Sequence, residues 1–170
     1  AIDHPKDRGV LAAYGKALAA AGELKPALEA IRRAQTPEYP DWRLLSAEGA
    51  ILDQLGDKDS ARALYRKALD LQPNESSILS NLGMSYLLEG DLKSAEAYMR
   101  QAAQAPGADS RVRQNLALVV GLQGRFEEAE RLARQELSPD KAEANVAYLR
   151  SMLAQQNAWS QISEDKKKRN

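Results

Sequence analysis

The stretch WRLLSAEGAILDQLGDKDSARALYRKALDLQP, Trp42–Pro73, decides the fold. It reads as two amphipathic helices, Trp42–Leu55 and Lys58–Leu71, parted by Gly56. A glycine there suits the left-handed residue that ends a helix, and Asp57 behind it can cap the next one. Pro73 closes the pair, because a proline cannot continue the hydrogen-bond ladder. One such hairpin cannot bury its own apolar face, so it needs neighbours of the same kind.

The neighbours are in the sequence. Gly15, Gly49, Gly83 and Ala117 are spaced 34 residues apart, as are Gly22, Gly56, Gly90 and Gly124. Ala27, Ala61, Ala95 and Ala129 form a third row, and Ala34, Ala68 and Ala102 a fourth, which Glu136 breaks; Leu11, Leu45 and Leu79 form another. The register holds without insertion and defines units 8–41, 42–75, 76–109 and 110–143. Pro37, Pro73, Pro106 and Pro139 punctuate the second helices, with Asp91 placed like Asp57. Ser138-Pro139 reads as a cap and first turn of a last helix near 140–156. The first glycine row lies mid-helix, where glycine costs roughly 1 kcal/mol relative to alanine. A close approach of the Ala27 row, small against small, is the expected reason.

Composition agrees. There are 29 Ala and 23 Leu against 5 Val, 5 Ile and 1 Thr, which favours helix and disfavours strand. The 24 basic and 24 acidic residues balance, so nothing suggests coating nucleic acid or an anionic membrane. There is no cysteine and one histidine, His4, so thiolate or paired-histidine metal sites are excluded and no cofactor is expected. No apolar run approaches the ~20 residues that span a bilayer.

These residues resemble the tetratricopeptide repeat (TPR). Trp42, Leu45, Gly49, Gly56, Ala61, Tyr65, Ala68 and Pro73 fall on its pattern, followed by Leu79, Leu82, Gly83, Tyr86, Ala95 and Ala102. The fourth unit departs, with Ala117, Ala133 and Glu136 at the glycine, aromatic and last small places. The resemblance implies an all-α solenoid, a right-handed superhelix of four repeats plus a capping helix. One domain is expected over 1–157, with a polar, disordered tail over 158–170.

The segments Arg8–Leu18, Pro40–Gly56 and Asn145–Leu153 further resemble the TadD family, the TPR lipoproteins of the bacterial tight-adherence (Flp) pilus assembly system. That resemblance implies a lipoprotein at the periplasmic face of the outer membrane, with the pilus secretin or other pilus assembly components as partners. A cytosolic co-chaperone or adaptor, and the TPR portion of a larger enzyme, are the alternatives.

Little in the sequence looks catalytic. His4 has no partner pattern. Gly121-Leu122-Gln123-Gly124 lacks the Lys-Ser or Lys-Thr of a phosphate loop. Glu127, Glu128 and Glu130 spread over the outside of a helix, and Lys166, Lys167, Lys168 and Arg169 form a basic tail. No enzyme activity is expected.

In the TPR family, certain places of each first helix face a concave groove, and these place Arg43, Ser46, Asn81, Met84, Arg111 and Asn115 there, with Asn145 and Tyr148 from the last helix. Asn81 and Asn115 share one place 34 residues apart, and such amides can pair with both donors and acceptors of an extended peptide. Arg43 and Arg111 can hold a carboxylate. The expected ligand is a protein or peptide segment. Asn81 and Arg111 match two places of the carboxylate-clamp repeats, but Ser46 and Ala50 replace the Lys and Asn expected one repeat earlier.

Overall fold

A computed structural model describes residues 5–168. It contains nine helices and no strand among the described residues: α1 (Pro5–Ala20), α2 (Leu24–Ala34), α3 (Trp42–Gln54), α4 (Lys58–Leu71), α5 (Ser76–Glu89), α6 (Leu92–Gln104), α7 (Ser110–Leu122), α8 (Phe126–Ala133) and α9 (Pro139–Lys168). They form two compact units, the first ending at Gly107 and the second beginning at Ala108. The fold is an all-α, TPR-type solenoid. His4 lies outside the described residues, as do Arg169 and the side chains of Lys166, Lys167 and Lys168.

Each hairpin turn follows its residues. Gly22, Gly56, Gly90 and Gly124 have φ of 83°, 90°, 88° and 83°, the left-handed region that a Cβ disfavours. The Asp57 carboxylate accepts from Ser60 N at 3.2 Å and Asp91 from Ser94 N at 3.1 Å, so both cap their second helices as read from sequence. Asp41 and Asp109 do the same for α3 and α7. The row continues at position 158 with alanine, and there the chain does not turn. α9 therefore runs from Pro139 to Lys168 as one helix, where the sequence suggests a helix over 140–156 and a disordered tail.

In the first unit α1 pairs with α2, α3 with α4 and α5 with α6. α3 also touches α1 and α5, whereas α2, α4 and α6 do not touch one another among the described residues. The first helices thus form the shorter, inner row of that unit. The core beneath them joins successive hairpins: Leu52, Ala61, Tyr65, Ala68, Ile78 and Leu82 make one buried cluster.

What stands nearest each glycine of the row is a large side chain; at Gly15 the alanine row also comes close, through the Ala27 carbonyl at 3.2 Å. A Cβ on Gly49 would stand 2.7 Å from Tyr65 Cε1, one on Gly83 2.9 Å from Met99 Cε, and one on Gly15 2.8 Å from Ile31 Cγ1. The partner is the large residue four places after the alanine. Small against small is thereby corrected to a hole against a knob, because one helical turn separates Ala61 from Tyr65 on the same face. In the fourth hairpin both members change: Ala117 fills the hole, Ala133 replaces the knob, and the two share a buried cluster with Ala142.

Candidate functional site

In the second unit, α7, α8 and α9 enclose a cavity of about 360 Å³. Ala117, Ala129 and Ala133 line it; Ala117 and Ala133 stand at the places where the other hairpins carry the glycine–knob pair, so the missing knob leaves room there. Leu118 and Met152 expose apolar surface, and Tyr148 is 69% exposed. Gln114, Asn115 and Asn145 supply amides, and no charged side chain lines the cavity. Asn115, Asn145 and Tyr148, chosen from sequence, therefore line one recess. Arg111 is exposed near the start of α7 and does not line it.

Two ties hold the helices around this recess. Leu149 of α9 packs at Gly121, where a Cβ would collide with it. Gly121 lies inside α7, which removes the glycine-loop reading of residues 121–124. Arg113 donates to the Glu136 carboxylate and, through Nη1, to the Ala108 carbonyl at 2.9 Å, joining α7 to the turn after α8. The hydrogen bonds from Arg113 and then Ser110 hold the Glu136 carboxyl below its ordinary range.

In the first unit the structure brings Ser46 and Asn81 together. Asn81 Nδ2 donates to Ser46 Oγ at 3.1 Å, so part of the amide expected to reach peptide backbone serves the α3–α5 contact. Ser46 is buried and Met84 half-buried. Arg43 is exposed, its guanidinium 4.8 Å above the Trp42 ring and 4.0 Å from Asp41.

Asp53, another inner-row residue, is turned to structural use. It accepts from Tyr65 Oη at 3.0 Å and from Ser85 Oγ at 2.8 Å. Arg62, 8% exposed, donates through Nε to Ser85 Oγ at 3.1 Å and through Nη2 to the Ser85 carbonyl at 3.2 Å. It also pairs with Glu89 at 2.5 Å and lies 4.0 Å over the Tyr86 ring. Burial, then the Asp53 charge, pushes the Tyr65 phenol far up, so it stays a donor.

On the outer helix α8, Glu128 pairs with Arg125 and Glu130 with Arg134, as a solvated face requires. Among the described residues no acidic or histidine cluster could hold a metal, and no helix is long and apolar enough to cross a membrane.

The cavity was not legible from motifs. Its signal was Ala133 at an aromatic place, which reads in sequence as decay of the repeat.

Tetratricopeptide repeat profiles match residues 46–109 and 111–135, together more than half of the chain. No characterised protein matches it by sequence alone. Three solved structures show the fold. PilF of Pseudomonas aeruginosa is 20% identical, with TM-score 0.73 over 90% of this chain and 70% of its own. A thermophilic TPR protein of Thermus thermophilus is 23% identical, with TM-score 0.70 over 86% and 83%. MamA of strain MSR-1 is 20% identical, with TM-score 0.63 over 86% and 87%. With the 34-residue hairpins, left-handed glycine turns and these matches together, the chain belongs to the tetratricopeptide repeat family.

Proposed function

We propose that the chain is a non-enzymatic scaffold that anchors a partner segment through the α7–α9 recess. The observation that carries this is the uncharged cavity of about 360 Å³ beside exposed Leu118, Tyr148 and Met152. Ligand pockets run from roughly 300 to 1,000 Å³. This one sits at the small end, suited to one or two apolar side chains rather than a cofactor. The rim amides of Gln114, Asn115 and Asn145 can pair with the backbone of the segment carrying those side chains. Tetratricopeptide repeats mediate protein–protein interactions, which supports a protein partner.

The TadD resemblance supports a finer reading: a lipoprotein at the periplasmic face of the outer membrane that assists assembly of the tight-adherence pilus, with the secretin among its partners. Co-purification of the secretin with the full-length gene product tests it. Capture by the parent and loss of at least about tenfold in a Leu118→Glu, Tyr148→Ala variant of unchanged melting temperature is expected, since unmet polar and apolar contacts at a buried anchor each cost roughly 1–3 kcal/mol. Equal capture by both proteins rejects the recess, and no capture by the parent rejects the secretin.

A further inference from the structure

A second recess, in the first unit, differs in chemistry. It measures about 320 Å³ and lies between α1, α3 and the α2–α3 loop. Arg8, Lys16 and Arg43 line it, against the single carboxylate of Asp41. In a chain of zero formal net charge this is a local excess of cations. Asp41 is already engaged, accepting from Arg43 N at 2.8 Å as the α3 cap. Arg8 donates to Thr36 Oγ1. Lys16 is exposed. Asp7 and Glu38 are exposed but do not line the recess.

Two of its walls, α1 and α3, belong to the inner row. Lys16 shares its repeat place with Ala50 and Met84, 34 and 68 residues on, so this one place of the inner row runs from cationic in α1 to apolar in α5. Two arginines and a lysine from two helices suit a carboxylate, which an exposed guanidinium can take through two parallel N–H donors.

We infer that this recess receives an Asp or Glu side chain of a partner polypeptide lying on the inner face of the first unit. The inference rests on the scaffold reading above and adds the chemistry of a second contact. An acidic residue at α1 and apolar residues toward Met84 would give the segment one direction along the unit.

The probe is hexaglutamate, with hexaglutamine and inorganic phosphate as comparisons, titrated into the full chain and followed by backbone amide shifts and calorimetry. Hexaglutamate should shift Lys16, Tyr39 and Arg43, and hexaglutamine should not. The Lys16→Gln, Arg43→Gln variant should weaken hexaglutamate at least about tenfold, as should salt well above about 0.15 M, where the Debye length falls below about 8 Å. Both residues are exposed, so the variant should melt like the parent. Undiminished binding by that variant, shifts mapping elsewhere, or displacement of hexaglutamate by equimolar phosphate would each overturn the assignment. The Leu118→Glu, Tyr148→Ala variant should keep hexaglutamate binding. Its effect on secretin capture judges the α7–α9 recess separately, so the two readings fail independently.

Discussion

The ring of Tyr65 occupies the space that Gly49 leaves in α3, so close that a Cβ there would stand 2.7 Å from Cε1. The ring is also pinned at its far end, where its hydroxyl donates to Asp53 at 3.0 Å. Glycine costs the middle of α3 some helix stability, and the buried ring offsets it. Met99 plays the same part against Gly83 with a flexible thioether. Across the fourth hairpin the relationship inverts, alanine facing alanine, and the space so released becomes the α7–α9 recess.

The two glycines should therefore respond differently to the same methyl. Gly49→Ala must displace a rigid, hydrogen-bonded ring and should destabilise by about 1–3 kcal/mol. Gly83→Ala meets Met99 at both Cε and Cγ, 2.9 Å away, so the flexible end can move but the stem must shift too; the roughly 1 kcal/mol gained in helix propensity offsets part of that, and the loss should be smaller than for Gly49→Ala. Gly83→Leu is too large for that adjustment and should cost about 1–3 kcal/mol. Urea denaturation of the three variants checks the order; equal losses for the two alanine variants would contradict the hole-and-knob account.

Restoring the missing knob should close the recess. Ala133→Met places a flexible apolar side chain over Ala117 and fills space rather than creating it. The melting temperature should hold or rise, and capture of the partner segment should fall at least about tenfold, the loss of one anchor side chain worth roughly 1–3 kcal/mol. Capture at parental strength in a folded Ala133→Met protein would place the anchor elsewhere.

Acid should loosen the second unit through Glu136. Its carboxyl is held below the ordinary value by Arg113 and Ser110. A depressed carboxyl adds stability that is present above its unfolded value and is lost as the pH falls through the folded one. At neutral pH the parent should melt above Glu136→Gln, and the gap should shrink from about pH 4.5 downward. A gap that stays constant through the acid range would show that the Arg113 pair contributes nothing of this kind.

Arg62 should be the costliest charged side chain to remove from the first unit. Arg62→Ala deletes its bonds to Ser85 and its stacking on Tyr86, while Glu89, 49% exposed at its side chain, is returned to water. The expected loss is about 2–3 kcal/mol, from two buried charge-assisted hydrogen bonds to Ser85 and the packing of the buried side chain on Tyr86. Arg66→Ala, whose residue reaches only the Tyr86 hydroxyl at 3.3 Å from an exposed position, should cost less than about 1 kcal/mol. Similar losses for the two would show that burial does not set the value of Arg62.

Much of the fold was legible because it is local. Gly56 and Gly90 end helices through their own φ, Asp57 and Asp91 cap the next turn from three residues away, and the 34-residue period repeats both. The site was less legible. Asn81 reads as a groove amide by its place in the repeat, yet its use depends on which residue stands across from it, and that is Ser46, 35 positions away. Asp53 likewise reads as an inner-row acid and is taken up by Tyr65 and Ser85.

The spacing of glycine, alanine, aspartate and proline by itself determined the helices, their turns, their pairing and the family, since each depends on backbone conformation and on contacts one or two turns apart. Which large residue fills each glycine's space, where a pair of alanines leaves a cavity, that α9 runs on to Lys168, and which inner polar groups bond to each other were decided only in the tertiary structure. These depend on the sizes and positions of side chains from different helices at once. A one-dimensional pattern carries residue types and intervals, but not the distances between them.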